Sequence, residues 1–234
     1  MDYLRKLEIC NFNPNYIFWE EMIESFKYLE GNINDKNILD FGCATGEFLH
    51  LFDSQYPVNR AIGIDIDSEK IKKSVETQKI NFFDAEIFDY KKHEEYFDCI
   101  FSQEVLYTLH DLNKHAELIK KILKPKSFYI ATMGCHIENP LWSHRREIIA
   151  KEEKYPVNDY SIDQVASIFF KAGFRVSIKR MDLSGFITYD PIETREFSNS
   201  LTELVNSTMN HKYIFMFYLP PKKYLLNNNS GLYH

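Results

Sequence analysis

The sequence lacks the features that mark exported, metal-binding or membrane proteins. It has four cysteines but no Cys-x-x-Cys pair of the kind found in zinc and redox sites. Its longest apolar run, Tyr213 to Leu219, is too short to span a bilayer, and the N-terminal stretch MDYLRKLEIC has no apolar core of signal-peptide length. We therefore expect a reduced, cytoplasmic protein that does not associate with a membrane.

The sequence also lacks an excess of positive charge. Its 28 lysines and arginines are outnumbered by 34 aspartates and glutamates, so the net charge is −6. Proteins that bind nucleic acid usually present a basic face, so this balance argues against a nucleic-acid partner. The 234 residues, 44% of them apolar, fit one large domain that covers residues 1–234.

Short apolar runs alternate with longer amphipathic stretches, a pattern typical of βα units on a parallel sheet. The predicted strands are Asn37–Phe41, Arg60–Asp65, Ile80–Phe83, Phe97–Ser102, Ser127–Thr132, Arg175–Arg180 and Lys212–Leu219. The predicted helices are Asn15–Leu29, Glu47–Gln55, Ser68–Thr77, Lys91–Tyr96, Leu112–Leu123, Ser161–Lys171 and Glu193–Met209. Residues 1–34, 134–160 and 181–211 lie outside the repeating pattern. We expect the first to form a helical lid and the other two to form insertions on the acceptor side.

A glycine-bounded loop between the first strand and the next helix is the most informative segment. Glycines allow a ligand to approach the backbone closely, and the helix that follows offers unpaired N–H groups. A dinucleotide fingerprint that starts at Gly42 would require glycine at positions 44 and 47, where Ala44 and Glu47 stand. The acidic residue that enters the loop, Asp40, suits an ammonium group better than a pyrophosphate. The spacing therefore disfavours NAD.

The run LDFGCATGEF, residues 39–48, resembles motif I of the class I S-adenosylmethionine-dependent methyltransferases. Four further segments fall in register with that family: AIGIDID (61–67), FFDA (82–85), FDCIFS followed by EVLY (97–107), and LKP (123–125). The resemblance covers residues 37–133. It implies an α/β fold with a doubly wound, seven-stranded, mostly parallel sheet. The implied strand order is 3-2-1-4-5-7-6, with helices on both faces, a small cap from the insertions, and an antiparallel last strand.

The resemblance also implies that S-adenosyl-L-methionine is the cofactor and that certain residues bind it. Asp65 would accept hydrogen bonds from both ribose hydroxyls, and Asp84, with Asp89 as a competitor, would accept from the adenine amine. The Ala85 N–H would donate to the adenine ring. The complete implied set is Asp40, Gly42, Cys43, Ala44, Gly46, Asp65, Ile66, Asp84, Ala85, Ser102 and Gln103.

Candidates for the catalytic groups lie beyond the fourth and fifth strands. His136 is the first choice for a general base because its ordinary pKa suits proton removal near neutrality, although an exposed loop histidine is an equal alternative. Arg145, in the run His144-Arg145-Arg146, would anchor an anionic acceptor or lie on the polar face of a short helix. Glu104 is the third candidate. Tyr16 and Trp19 share a helical face, which fits either a lid or simple packing.

The same region bears on whether a metal is used. The separations between Glu104, His110 and His115 are six and five residues, which does not place them on one helix face, so we predict no metal.

The loop after the fourth strand also indicates the class of acceptor. Ser102-Gln103-Glu104-Val105 stands where methyltransferases of DNA bases or protein glutamine carry Asn/Asp-Pro-Pro-Tyr. We therefore expect a small-molecule acceptor and a monomer or homodimer. O-methylation of a metabolite or sugar-type compound, anionic if Arg145 lines the pocket, comes first. Small-molecule N-methylation, a non-catalytic cofactor-binding module and a degenerate NAD oxidoreductase remain alternatives.

Overall fold

Seven strands form one sheet in the computed structural model, which describes residues 15–152, 155–183, 186–187, 189 and 198–222. The strands are β1 (Asn37–Phe41), β2 (Arg60–Asp65), β3 (Ile80–Asp84), β4 (Phe97–Gln103), β5 (Leu123–Met133), β6 (Arg175–Arg180) and β7 (Tyr213–Tyr218). Their order is β3-β2-β1-β4-β5-β7-β6. The first five strands pair in parallel, and β7 runs antiparallel to both β5 and β6. The predicted strand order and the direction of the last strand are confirmed.

Helices cover both faces of this sheet. They are α1 (Tyr16–Glu30), α2 (Glu47–Gln55), α3 (Ser68–Ile71), α4 (Leu112–Ile122), α5 (Trp142–Glu152), α6 (Ile162–Lys171) and α7 (Leu201–Val205). A π-helical turn, Asn206–Asn210, follows α7, and 3₁₀ turns lie at Tyr90–His93 and Leu106–Thr108. None of the described helices is long and apolar enough to cross a bilayer.

The core consists of two apolar layers, one on each side of the sheet. On the first side, α1 and α2 pack through Phe26 and Phe52 against Phe101 of β4. On the second side, α6 packs through Phe169 against Phe217 of β7, and α4 contributes to the same cluster. The inner strands therefore bury both of their faces, as expected of a doubly wound sheet, whereas the edge strand β6 is largely exposed.

Local hydrogen bonds determine where several helices begin. Asp111 accepts hydrogen bonds from the N–H groups of Asn113 and Lys114, and α4 starts directly after it. Ser161 and Gln164 form a reciprocal capping box, so α6 begins at the position that the sequence indicated. The helix after β2 begins at Ser68, as predicted, and the Asp67 side chain caps its first turn.

Three predicted helices differ from the structure. The segment predicted at Ser68–Thr77 ends at Ile71 because it has no continuous apolar face to bury; Val75 is 66% exposed. The segment predicted at Lys91–Tyr96 is only a 3₁₀ turn. Of the helix predicted at Glu193–Met209, residues 193–197 lie outside the described part of the chain, residues 198–200 are not helical, and α7 with its π-helical turn covers residues 201–209.

The strand order determines where a ligand can bind. The chain connects β1 outward to β2 and β3, then returns so that β4 lies on the other side of β1. Connections that leave two adjacent parallel strands in opposite directions open a crevice at the carboxyl ends of those strands. The glycine loop after β1 lies at this position.

We predict that Phe169→Ala destabilises the protein by about 3–5 kcal/mol. Phe169 is fully buried, and its ring stacks on Phe217 at a centroid distance of 3.8 Å, so truncation leaves a cavity between α6 and the sheet. Urea unfolding followed by circular dichroism measures the change. The matched control is Phe170→Ala, because this neighbouring phenylalanine is 63% exposed; it should change stability by less than about 0.5 kcal/mol. Equal losses in the two variants would contradict this packing.

Candidate functional site

A cleft of about 470 Å³ lies at the carboxyl ends of β1, β2 and β4, beneath the N-terminal end of α1. Its walls come from the glycine loop, the loop after β2, the loop after β4 and α1. The lining residues that the sequence pointed to are Asp40, Gly42, Cys43, Ala44, Asp65, Ile66, Ala85, Gln103, Glu104, Tyr107 and Trp19. The structure therefore brings together most of the predicted cofactor residues.

The glycine loop comes very close to the loop after β4. Gly42 has a φ of +82°, in the left-handed region, and a Cβ at this position would lie 2.4 Å from Val105 Cγ2. The N–H groups of Gly42 and Cys43 both donate to the Ile64 carbonyl, which ties the loop to β2. Gly46 does not line the cleft; it precedes α2 with a φ of +88° and packs against Phe82.

Asp65 lies at the end of β2 and is 8% exposed at the cleft wall. One carboxylate oxygen accepts the Ala44 N–H at 2.9 Å and the other accepts the Asp67 N–H at 2.8 Å. These two hydrogen bonds fix the orientation of the carboxylate. A carboxylate has about four acceptor sites, so each oxygen can still accept a second hydrogen bond from a ligand hydroxyl.

Asp40 lies in β1, just before the glycine loop, and is more deeply buried than Asp65, at 5% exposure. Burial, together with repulsion from the Asp65 carboxylate, raises the pKa of Asp40 to about 8. A ligand cation placed beside Asp40 would favour its ionised form. The site therefore combines one carboxylate aligned by N–H groups with one that readily holds a proton.

The adenine side of the predicted site differs from expectation. Ala85 lines the cleft, but its N–H donates to the Asp65 carbonyl at 2.9 Å, so the predicted hydrogen bond to the adenine ring is not available in this arrangement. Asp84 does not line the cleft, and its carboxylate accepts the Glu86 N–H. The alternative, Asp89, caps the 3₁₀ turn at Tyr90–His93. The exposed Ile66 side chain instead offers an apolar surface there.

Aromatic and amide side chains line the other end of the cleft. Trp19 lies in the wall with its ring 6.3 Å from that of Phe48, which supports the expectation that α1 covers the site. Gln103 donates from Nε2 to the Asn15 side chain at 3.1 Å and so attaches the start of α1 to the end of β4. Tyr16, the other predicted lid residue, is not among the lining residues.

Glu104 is the predicted catalytic residue that does lie in the cleft. Burial alone would raise its pKa, but the Lys212 ammonium and the Gly134 N–H, followed by the charge of Arg145, hold the pKa below its ordinary value. The carboxylate is therefore ionised at neutral pH. Among the described residues, no group of three or more histidine, cysteine or acidic side chains is arranged to hold a metal ion.

His136 does not lie at the cleft. Its side chain is fully buried, with Nδ1 2.9 Å from a Glu138 carboxylate oxygen and Nε2 2.7 Å from the His211 carbonyl. Both ring nitrogens face acceptor oxygens, so neither presents a lone pair to a substrate. This placement argues against the predicted role of general base, because the loop that carries the histidine turns it into the interior.

Two more predicted site residues, Arg145 and Ser102, also lie outside the walls of the cleft. Arg145 is not among the lining residues, although it lies close enough to influence Glu104. The run His144-Arg145-Arg146 lies on the helix α5, as in the alternative interpretation. The neighbouring Arg146 pairs with Asp159 at 3.0 Å. Ser102 is buried beneath the cleft, with its hydroxyl 2.7 Å from that of Tyr129.

Sequence reasoning missed two residues that meet across the cleft. Lys70, in α3, and Tyr155, after α5, both line it, and the Lys70 ammonium lies 3.4 Å from the Tyr155 hydroxyl. Lys70 could have been found because it follows Asp65 by only five positions. Tyr155 lies in the insertion at 134–160, where no motif marks it.

The comparison with protein families agrees with this geometry. A family model described as a methyltransferase domain matches residues 33–176, which include the glycine loop, Asp65 and Glu104. The chain belongs to this methyltransferase family. No curated protein sequence matches the chain.

Solved structures described as methyltransferases share the fold. A chain in the complex between the Haloferax volcanii Trm112 methyltransferase activator and its methyltransferase is 17% identical, with a TM-score of 0.67; 88% of this chain and 96% of that one are covered. Phosphoethanolamine N-methyltransferase 2 of Haemonchus contortus is 15% identical, with a TM-score of 0.63 and coverages of 95% and 61%. Geranyl diphosphate C-methyltransferase of Streptomyces coelicolor is 14% identical, with a TM-score of 0.61 and coverages of 85% and 79%.

We predict that Asp40→Asn stabilises the ligand-free methyltransferase at alkaline pH. The folded state holds the Asp40 proton up to about pH 8, whereas the unfolded chain releases it near 3.8, so this group lowers stability progressively as pH rises between those values. The amide cannot ionise and avoids that loss. The melting temperature of the variant should exceed that of the wild type by at least about 2 °C at pH 8 and by less at pH 5. A difference that does not change with pH would contradict the burial of an ionisable Asp40.

Proposed function

We propose that this methyltransferase transfers a methyl group from S-adenosylmethionine to a small-molecule acceptor in the cleft. The observation that carries the proposal is Asp65, a carboxylate aligned by two N–H groups at the end of β2, directly beside a glycine loop that has no room for a side chain at position 42. When bound, the cofactor supplies a methyl group that its sulfonium already activates for displacement.

The residues of the cleft fit the parts of this cofactor. Asp65 has acceptor capacity left for the two ribose hydroxyls. The exposed side chain of Ile66 offers an apolar contact for the adenine ring. Asp40, buried beside the glycine loop, would ionise next to the ammonium of the amino-acid tail. Trp19 and Met22 of α1 would exclude water from the reacting end, where methyl transfer depends on alignment.

The acceptor end favours an amine over an alcohol. An alcohol must lose a proton to a base as the methyl group arrives, and the predicted base, His136, is buried away from the cleft. Among the described lining residues, Glu104 is the acid at this end, and a carboxylate whose pKa is lowered is a weak base. An amine can release its proton to water before it enters the site. We therefore put N-methylation of a small amine ahead of the O-methylation that the sequence suggested.

Other features of the sequence interpretation remain proposals. A small-molecule acceptor agrees with the net charge of −6 and with the cleft volume of about 470 Å³, and we continue to expect no nucleic-acid partner. A cytoplasmic location and a monomeric or homodimeric state also remain predictions. The association with Trm112 belongs to the Haloferax volcanii complex.

We predict that S-adenosylhomocysteine binds the wild type with micromolar affinity, about −8 kcal/mol, in a calorimetric titration. Asp65→Asn should weaken the affinity by at least about tenfold, because the two ribose hydroxyls lose a charged acceptor and the amide NH2 would face a backbone N–H that a carboxylate oxygen now accepts. The matched control is Asp53→Asn. This aspartate lies within α2 and accepts the Val58 N–H, a role that an amide oxygen can keep, so its affinity should equal that of the wild type.

The titration also separates the alternatives. A folded wild type that binds NAD but not S-adenosylhomocysteine would contradict the proposed cofactor. Binding of S-adenosylhomocysteine without methyl transfer to any amine or alcohol would favour a non-catalytic binding module.

We predict that the acceptor amine, rather than the protein, sets the pH dependence of methyl transfer. With two amines whose pKa values differ by about one unit, the midpoint of the rise in kcat/KM with pH should differ by about one unit as well. A midpoint that is the same for both substrates would indicate a base in the protein and would return O-methylation to first place. Formation of S-adenosylhomocysteine measures the rate.

A further inference from the structure

Lys212 lies directly before β7, far in sequence from the cofactor motifs, yet it contacts two walls of the cleft. Its side chain is 12% exposed, and its ammonium lies 3.3 Å from Glu104 Oε1. The same ammonium lies 3.7 Å from the centroid of the Phe18 ring in α1, a cation–π arrangement. One side chain therefore joins the start of β7, the end of β4 and the helix that covers the cleft.

Glu104 needs to be held in this conformation. Its φ of +55° lies in the left-handed region, which residues other than glycine rarely adopt. The Gly134 N–H donates to both carboxylate oxygens, at 2.9 and 3.0 Å, and Lys212 supplies the opposite charge. These contacts draw the Glu104 side chain toward the end of β5 and stabilise the sharp turn of the backbone.

The residues on either side of Glu104 depend on that turn. Val105 fills the space that a side chain at Gly42 would occupy and so forms part of the support for the glycine loop. Gln103 donates to Asn15 at the start of α1. A shift of the backbone at Glu104 would therefore move both the cofactor loop and the covering helix.

We propose that Lys212 is a positioning residue of the active site, which holds Glu104 in its turned conformation and α1 over the cleft. This inference depends on the proposed function in one respect, namely that the cleft is the cofactor site. Without the ammonium, the half-buried carboxylate would lose the stronger of two cationic influences, and only that of Arg145 would remain. Such a carboxylate turns toward water or another cation. The segment 103–105 and the N-terminal end of α1 would then lose their common anchor.

The experiment measures the affinity for S-adenosylhomocysteine by calorimetry. Lys212→Met keeps the length and apolar stem of the side chain but removes the charge, and it should weaken binding about tenfold, or about 1.4 kcal/mol. Lys212→Arg, which keeps a cation for Glu104 and Phe18, should stay within about threefold of the wild type. The matched control is Lys179→Met, because Lys179 pairs with Glu21 of the same helix but away from the cleft; its affinity should be unchanged.

A double-mutant cycle tests whether Lys212 acts through Glu104. If it does, Glu104→Gln should weaken binding by itself but should add little in the Lys212→Met background. Additive losses would contradict the proposed route.

A second measurement does not depend on the cofactor. In a Trp142→Phe background, Trp19 is the single tryptophan, and its quenching by iodide reports how well α1 covers the cleft. Lys212→Met should increase the quenching constant about twofold or more, whereas Lys179→Met should not.

The outcomes of these measurements are distinguishable. If the wild type fails to bind S-adenosylhomocysteine, the proposed function fails, and Trp19 quenching still tests the position of α1. If the wild type binds and Lys212→Met binds equally well, the inference is overturned, even if that variant melts at a lower temperature, because Lys212 would then be merely structural. Unchanged Trp19 quenching in Lys212→Met would also overturn it.

Discussion

The close approach of two loops at the carboxyl ends of β1 and β4 shapes the whole cleft. The glycine loop can lie against Val105 only because position 42 carries no side chain and its backbone has a positive φ. This approach in turn requires β1 and β4 to be neighbours, which the strand order provides. The shape of the cleft and the orientation of Asp65, which accepts the Ala44 N–H of the same loop, depend on this contact between the glycine loop and the Val105 side chain.

Of the four acidic residues that line the cleft, Asp40, Asp65 and Glu104 are each balanced in a different way. Asp40 is buried and holds a proton up to about pH 8. Asp65 stays oriented through two backbone N–H groups. Glu104 has a lysine as its counter-ion. Like charges in such a cluster would otherwise repel one another. The proton on Asp40, the N–H groups at Asp65 and the lysine at Glu104 each reduce that repulsion, so three acidic groups can lie together where a cationic cofactor would bind.

The insertion after β5 connects separate elements of the structure, and its His136 lies away from the cleft. His136 links it to the His211 carbonyl, immediately before Lys212, so the segment after β5 is joined to the segment before β7. This hydrogen bond holds the segment directly before β7, from which Lys212 reaches Glu104. The same insertion carries Tyr155 to the opposite wall, where it meets Lys70.

The sequence by itself indicated the glycine loop and the positions of most strands, because these depend on local periodicity and on a motif of contiguous residues. The sheet order was implied by the resemblance of that motif to the methyltransferases and is confirmed. The cofactor role of Asp65 was implied in the same way and remains a proposal. It did not determine which polar groups face the cleft. The burial of His136, the loss of the Ala85 N–H to the Asp65 carbonyl and the contact between Lys212 and Glu104 each join residues from separate elements. Such contacts are decided by how the loops pack at the end of the sheet. Only the tertiary structure brings together side chains that lie up to about a hundred positions apart, so only it could identify them.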